Sequence, residues 1–192
     1  MAVPSPDVMT VAPPAASAPD KLPPDCSVAF YGDSILAGVN LSGKLEVSPA
    51  ETLRKMRPAY RVDDRAHGGD SATLQKGFFM NDTRTAKIIV IEYGVNDFNA
   101  GFPFYAPLAD MVAYAKAEGR IPVLTGIMKG AIAPDGMEVP KRLAQDTATA
   151  YAGWDEVGGA NLEDGHPTQE RSDMLVAKLV TTLDKLLPEC KP

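Results

Sequence analysis

The sequence predicts an α/β protein, a three-layer α/β/α sandwich built on a mainly parallel four- or five-stranded sheet. Short apolar and β-branched runs such as Val28–Tyr31 and Ile88–Ile91 read as strands buried on both faces, because they show no alternation between core and water. Segments with helical spacing separate these runs, the pattern of successive strand–helix–strand units. Three strands run into glycine-containing loops, at Gly32, at Gly68-Gly69 and at Gly94. In a parallel sheet such loops gather along one edge.

Composition bounds the reading. A chain of 192 residues fits one domain with a core of its own. Hydrophobic content of 45% and charged content of 23% are ordinary globular values. A net charge of −6 with no Lys/Arg run argues against nucleic acid or an anionic membrane surface as the main partner. No apolar stretch approaches the roughly 18 residues of a transmembrane helix. No Cys/His spacing suggests a metal, and no P-loop or G-x-G-x-x-G suggests a nucleotide, so neither metal nor organic cofactor is expected. Oligomeric state is not legible.

Residues 1–25 are rich in Pro and Ala and lack periodicity, which reads as a disordered leader before a folded domain over residues 26–192. The leader lacks the basic start and apolar block of a secretory signal, although Pro/Ala tethers often follow a cleaved one. Cys26 and Cys190 flank the domain. Either they are bridged, which implies an oxidising compartment and a secreted or periplasmic protein, or they are two unrelated surface thiols.

Within the domain, Val28–Tyr31 leads into Gly32-Asp33-Ser34 as a first strand. Ser48-Pro49-Ala50-Glu51 has the form of a capping box with Pro at the first helical position, and Pro58 ends that helix. Tyr60–Asp64 reads as the second strand, and Ala72–Phe79 as a helix covering the sheet. Lys87–Tyr93 is the most uniform buried strand. Leu108–Glu118 has helical spacing and stops at Gly119. Ile121–Gly126 is a fourth strand, Val139–Tyr151 a helix, and 150–154 a fifth, weaker strand. Apolar positions 175, 179, 183 and 186/187 mark an amphipathic closing helix over 171–187.

A serine at the carboxyl end of a buried strand is placed to act as a nucleophile, and Ser34 is such a serine; Gly69-Asp70-Ser71 repeats the same letters. A hydroxyl needs a base, and the chain has two histidines, His67 and His166. His67 reads as structural. His166 has Asp164 two residues before it, Glu163 three before, and Pro167 after it. An acid so close can hold the imidazole tautomer and stabilise the imidazolium.

Four blocks in order, Tyr31-Gly32-Asp33-Ser34-Ile35, Gly69-Asp70-Ser71, Gly94-Val95-Asn96-Asp97 and Asp164-Gly165-His166-Pro167, resemble those of the SGNH hydrolases, also called GDSL esterases and lipases. That resemblance implies a flavodoxin-like sandwich and a carboxylic ester hydrolase. Ser34 would be the nucleophile and His166 the general base, with Asp164 as the acid. The N–H groups of Ser34 and Gly69 and the Asn96 amide would form the oxyanion hole. Ile35 replaces the Leu of the namesake motif. The family places its Asp three residues before the His, where this chain has Glu163; Glu163, or a Ser-His pair assisted by a backbone carbonyl, therefore remains an alternative to Asp164. The expected substrate is a short-chain acyl or acetyl ester of a carbohydrate or lipid. An inactive binding or accessory protein of the cell envelope is the other reading.

No G-x-S-x-G elbow is present, since Leu36 stands at the second glycine position. Phe98, Phe102, Phe104 and Tyr105 follow Asn96 and read as core packing ahead of an acyl or sugar wall. Phe78, Phe79 and Met80 read as core.

Overall fold

The computed structural model describes residues 24–159 and 162–191, with Glu163 described by its backbone alone. The first half of the chain forms β1 (Ser27–Gly32), α1 (Ser34–Ala37), β2 (Val39–Asn40), β3 (Gly43–Lys44), α2 (Pro49–Met56), β4 (Arg61–Asp64) and α3 (Ala72–Asn81). Then come β5 (Ile88–Glu92), α4 (Val95–Ala100), α5 (Tyr105–Ala117), β6 (Ile121–Leu124), α6 (Pro134–Asp146) and β7 (Ala150–Tyr151). The short strands β8 (Leu162–Glu163) and β9 (His166–Pro167) precede the last helix, α7 (Gln169–Leu186).

The five-stranded sheet has the order β4-β1-β5-β6-β7 and every pairing in it is parallel. Alternation along the central strands feeds two cores. Val28, Phe30, Ile88 and Val90 pack with residues of α2 and α7, whereas Ala29, Ile89 and Ile91 pack with residues of α3, α5 and α6. Each fully buried aliphatic side chain contributes about 1.5–3 kcal/mol, so strands apolar on both faces suit only a covered sheet.

Strand order also places the crevice. The chain leaves β1 for β4 on one side, then crosses back over β1 to reach β5 on the other. This reversal makes β1 the switch point, and ligands bind outside the carboxyl ends of strands at such a point.

Several boundaries differ from the sequence expectation. The helix expected over 139–151 is α6, which starts at Pro134 because a first-position proline loses no hydrogen bond. Past its end, Ala148 takes a positive φ of 47° and the chain enters β7, so the fifth strand spans two residues and Trp154 opens a 3₁₀ turn. Helices α1 and α4 and the hairpins β2–β3 and β8–β9 are too short to leave a periodic signal. Phe79 is buried as expected, but Phe78 is 74% exposed, since neighbouring helical positions point about 100° apart.

Cys26, just before β1, and Cys190, after α7, form a disulfide, and both lie in the core shared by α2 and α7. Among the described residues no helix is long and apolar enough to cross a membrane. The expected leader lies mostly outside the described residues.

Candidate active site

β1 ends where Gly32 passes close to β5. A Cβ on Gly32 would stand 2.8 Å from the Glu92 carbonyl oxygen and 2.9 Å from Glu92 Oε2, so the close approach requires glycine. The next residue, Asp33, caps α1 by accepting the Ile35 N–H at 2.9 Å. Ser34 is therefore the first residue of a helix at the carboxyl end of the switch-point strand.

The base arrives from across the chain. β8 and β9 pair antiparallel with Glu163 opposite His166, and the two residues between them, Asp164 and Gly165, have φ of 51° and 77°. Two consecutive positive φ values in an Asp-Gly loop make the tight hairpin turn whose twist matches its strands. The hairpin brings His166 Nε2 to 2.9 Å from Ser34 Oγ. The other ring nitrogen, Nδ1, lies 3.0 Å from the backbone carbonyl oxygen of Asp164. Asp164 thus meets the ring through its backbone, and its carboxylate is on the exposed turn. The Glu163 side chain lies outside the described residues.

Behind the hairpin, Arg171 of α7 is fully buried. Its guanidinium donates to the carbonyls of Lys129, Val157, Gly158 and Gly159 at 2.6 to 3.2 Å. This fixes residues 157–159 and ties them to Lys129. Sequence periodicity marks Arg171 only as a helix residue.

The remaining candidates converge on the same edge. The loop after β4 is tied to β1 by the His67 N–H donating to the Gly32 carbonyl at 3.0 Å. Gly68 packs beside Ser34, a Cβ built on it standing 3.9 Å from Ser34 Cβ. Gly69 has φ of 87°, a conformation that favours glycine. Asn96, in α4, donates its side-chain N–H to the Asp70 carbonyl at 2.7 Å. Asp97 is fully buried and accepts the N–H groups of Ala72 and Thr73 at 2.8 and 2.9 Å. It caps α3 and locks the loop 67–71 to α4, a role the sequence did not reveal. Ser71 also caps α3, accepting from the Leu74 N–H. His67 is largely exposed, with Nδ1 3.6 Å from Asp70 Oδ2.

Beneath Ser34 lies a pair of carboxyl groups. Asp33 and Glu92 are buried, and Glu92 Oε2 accepts the Asp33 N–H at 3.1 Å. Burial pushes Asp33 up to about 6. Burial, and then the charge of Asp33, holds Glu92 well above the carboxylate range. Of the aromatics after Asn96, Phe104 is buried in the core under α5, Phe98 and Tyr105 pack against it, and Phe102 is partly exposed.

No family model matches the sequence, and no curated protein sequence matches it. Solved structures do. TesA is 27% identical with a TM-score of 0.66, over 84% of this chain and 99% of that one. The psychrotrophic esterase EstA from Pseudoalteromonas sp. is 18% identical with a TM-score of 0.65, over 85% and 100%. A catalytic mutant of Axe2, an acetylxylan esterase from Geobacillus stearothermophilus, is 17% identical with a TM-score of 0.63, over 85% and 96%. In fold, and in the order of its four sequence blocks, the chain is similar to the SGNH hydrolases, the GDSL esterases and lipases.

Proposed function

We propose that the chain is a serine carboxylic ester hydrolase that works through an acyl-serine intermediate. One observation carries the reading: Ser34 Oγ and His166 Nε2 are 2.9 Å apart, at the switch-point edge of a sheet shared with esterases.

The chemistry runs in two halves. Nε2 takes the Ser34 proton as Oγ bonds to the ester carbonyl carbon. The oxyanion that develops faces the N–H groups of Ser34 and Gly69 and the second N–H of the Asn96 amide, the first being held by Asp70. Each such donor is worth about 10²–10³ in rate. The carbon–oxygen bond to the alcohol breaks as Nε2 returns the proton to the departing oxygen. Water, deprotonated by His166, then releases the acid and restores Ser34. Asp164 takes part through its carbonyl, which accepts from Nδ1–H and leaves Nε2 free to accept a proton. Acyl esters of carbohydrates or lipids are the substrate class, and the disulfide supports a secreted or periplasmic setting.

The test is hydrolysis of a short-chain chromogenic ester, with labelling by a fluorophosphonate probe in parallel. Ser34→Ala is expected to abolish labelling and to lower kcat by about 10³ or more. Activity that survives the substitution overturns the assignment. A folded wild-type chain that neither labels nor turns over is instead a binding or accessory protein.

A further inference from the structure

Helix α3 turns two large apolar side chains outward: Leu74 is 63% exposed and Phe78 74%. Four positions apart, they form one stripe on the helix surface. A surface helix ordinarily presents polar residues there, and an apolar stripe beside a cavity marks contact with something apolar. The stripe borders a groove of about 710 Å³, also lined by Tyr31, Phe79 and Tyr93, within the size range of small-molecule sites. Several polar groups in its wall are already paired with one another. Gln75 Nε2 donates to Asp70 Oδ1 at 2.8 Å, Tyr31 OH donates to Asp82 Oδ2 at 2.8 Å, and Arg65 forms an ion pair with Asp82. The surface left for a ligand is mainly apolar.

The groove begins at the catalytic edge. His67 and Asp70 line it, and they flank Gly68-Gly69, of which Gly68 packs beside Ser34. No described side chain of the β8–β9 hairpin lines it. A departing alcohol must sit beside His166 Nε2 to receive its proton, whereas the groove opens on the 67–70 side of the nucleophile. The groove is therefore placed for the acyl part of the ester. A ten-residue helix is about 15 Å long, which suits a linear chain well beyond acetyl. We propose that this groove along α3 is the acyl-chain subsite and selects medium-length apolar acyl groups, a reading that rests on the esterase assignment above.

Gly77 supplies the test. It lines the groove, and nothing lies within 4 Å of where its Cβ would stand. Gly77→Leu adds its side chain from this open position and favours the helix. kcat/KM is measured for 4-nitrophenyl acetate and octanoate, and for ethyl and octyl acetate. The proteins are the wild type, Gly77→Leu, Phe78→Ser and, as a control on the outer face of α7, Met174→Ser. The octanoate-to-acetate ratio is expected to fall about tenfold in Gly77→Leu and Phe78→Ser and to hold in Met174→Ser. The octyl-to-ethyl ratio is expected to hold in all four proteins. An octanoate-to-acetate ratio that is the same in every protein overturns the subsite, and so does a loss confined to octyl acetate, which would mark an alcohol site. A wild type that hydrolyses none of the four esters sinks the esterase reading itself, and the groove with it.

Discussion

Behind Ser34, Asp33 and Glu92 occupy a space that excludes water, and two carboxylates cannot both be charged there at low cost. Both folded pKa values lie above the unfolded ones. The stability contributed by this pair is fully present below the unfolded carboxyl values near 4, and it is lost as pH rises through the folded ones. Glu92→Gln keeps the shape and removes one of the two titrations. Its thermal midpoint, measured against the wild type from pH 5 to pH 8, is expected to gain with rising pH. The gain should grow steadily across that range; a flat difference refutes the pairing. The other residue-scale prediction concerns the turn. If Asp164 serves the imidazole through its carbonyl, Asp164→Asn, which tolerates the same positive φ, should hold kcat within about fivefold. Losing a true triad carboxylate costs about 10⁴, so a drop of that size in Asp164→Asn or in Glu163→Gln would identify the carboxylate as the partner.

At the scale of elements, the sheet strands and long helices were legible because each buries a periodic face: Ile88–Ile91 packs into both cores, and Leu175, Leu179 and Leu183 line one side of α7. The residues of the site were legible as letters, their supports less so. Asp164-Gly165 carries the plainest short hairpin signal in the chain, yet beside a histidine it reads as an acid; the turn explains why its carbonyl faces the ring. Asp97 and Arg171 were opaque because their partners are backbone groups far away in sequence, which no spacing records. Phe78 was misplaced because an apolar triplet on a helix cannot bury all three members. Arg171 makes the element-scale prediction. Removing its guanidinium takes the donor from four carbonyls, and the buried one, on Val157, costs about 1–3 kcal/mol if left unpaired. Arg171→Met should lower stability by about 1–3 kcal/mol and, by loosening residues 157–159, reduce kcat more than it changes KM. Arg171→Lys should restore part of both. Equal kcat in Arg171→Met and wild type, measured well below its melting temperature, would show that the hairpin holds His166 unaided.

Across the whole molecule, the staple and the site sit at opposite ends of one strand. Cys26 precedes β1 and Ser34 follows it, so about 20 Å of extended chain separates them. The bridge spans 164 residues of sequence, nearly the entire domain, and ties the last helix to the amino end of the central strand. In the chain-entropy view such a closure acts on the unfolded ensemble, by about 5 kcal/mol for a loop of this length. The catalytic edge is held by separate contacts: the Asp97 caps, the Asn96 amide and the Arg171 carbonyl cluster. Stability and catalysis should therefore respond differently to reduction. Urea unfolding of oxidised and dithiothreitol-reduced wild type is expected to show a loss of several kcal/mol, with a steeper denaturant dependence as the unfolded chain expands. At 25 °C in the absence of urea, kcat and KM for a short-chain ester should change by less than about twofold, because the folded fraction stays near one while net stability remains above about 2 kcal/mol. Loss of activity ahead of unfolding would mean that the staple shapes the site as well as the chain, and that α7 transmits strain from Cys190 to Arg171 and so to His166.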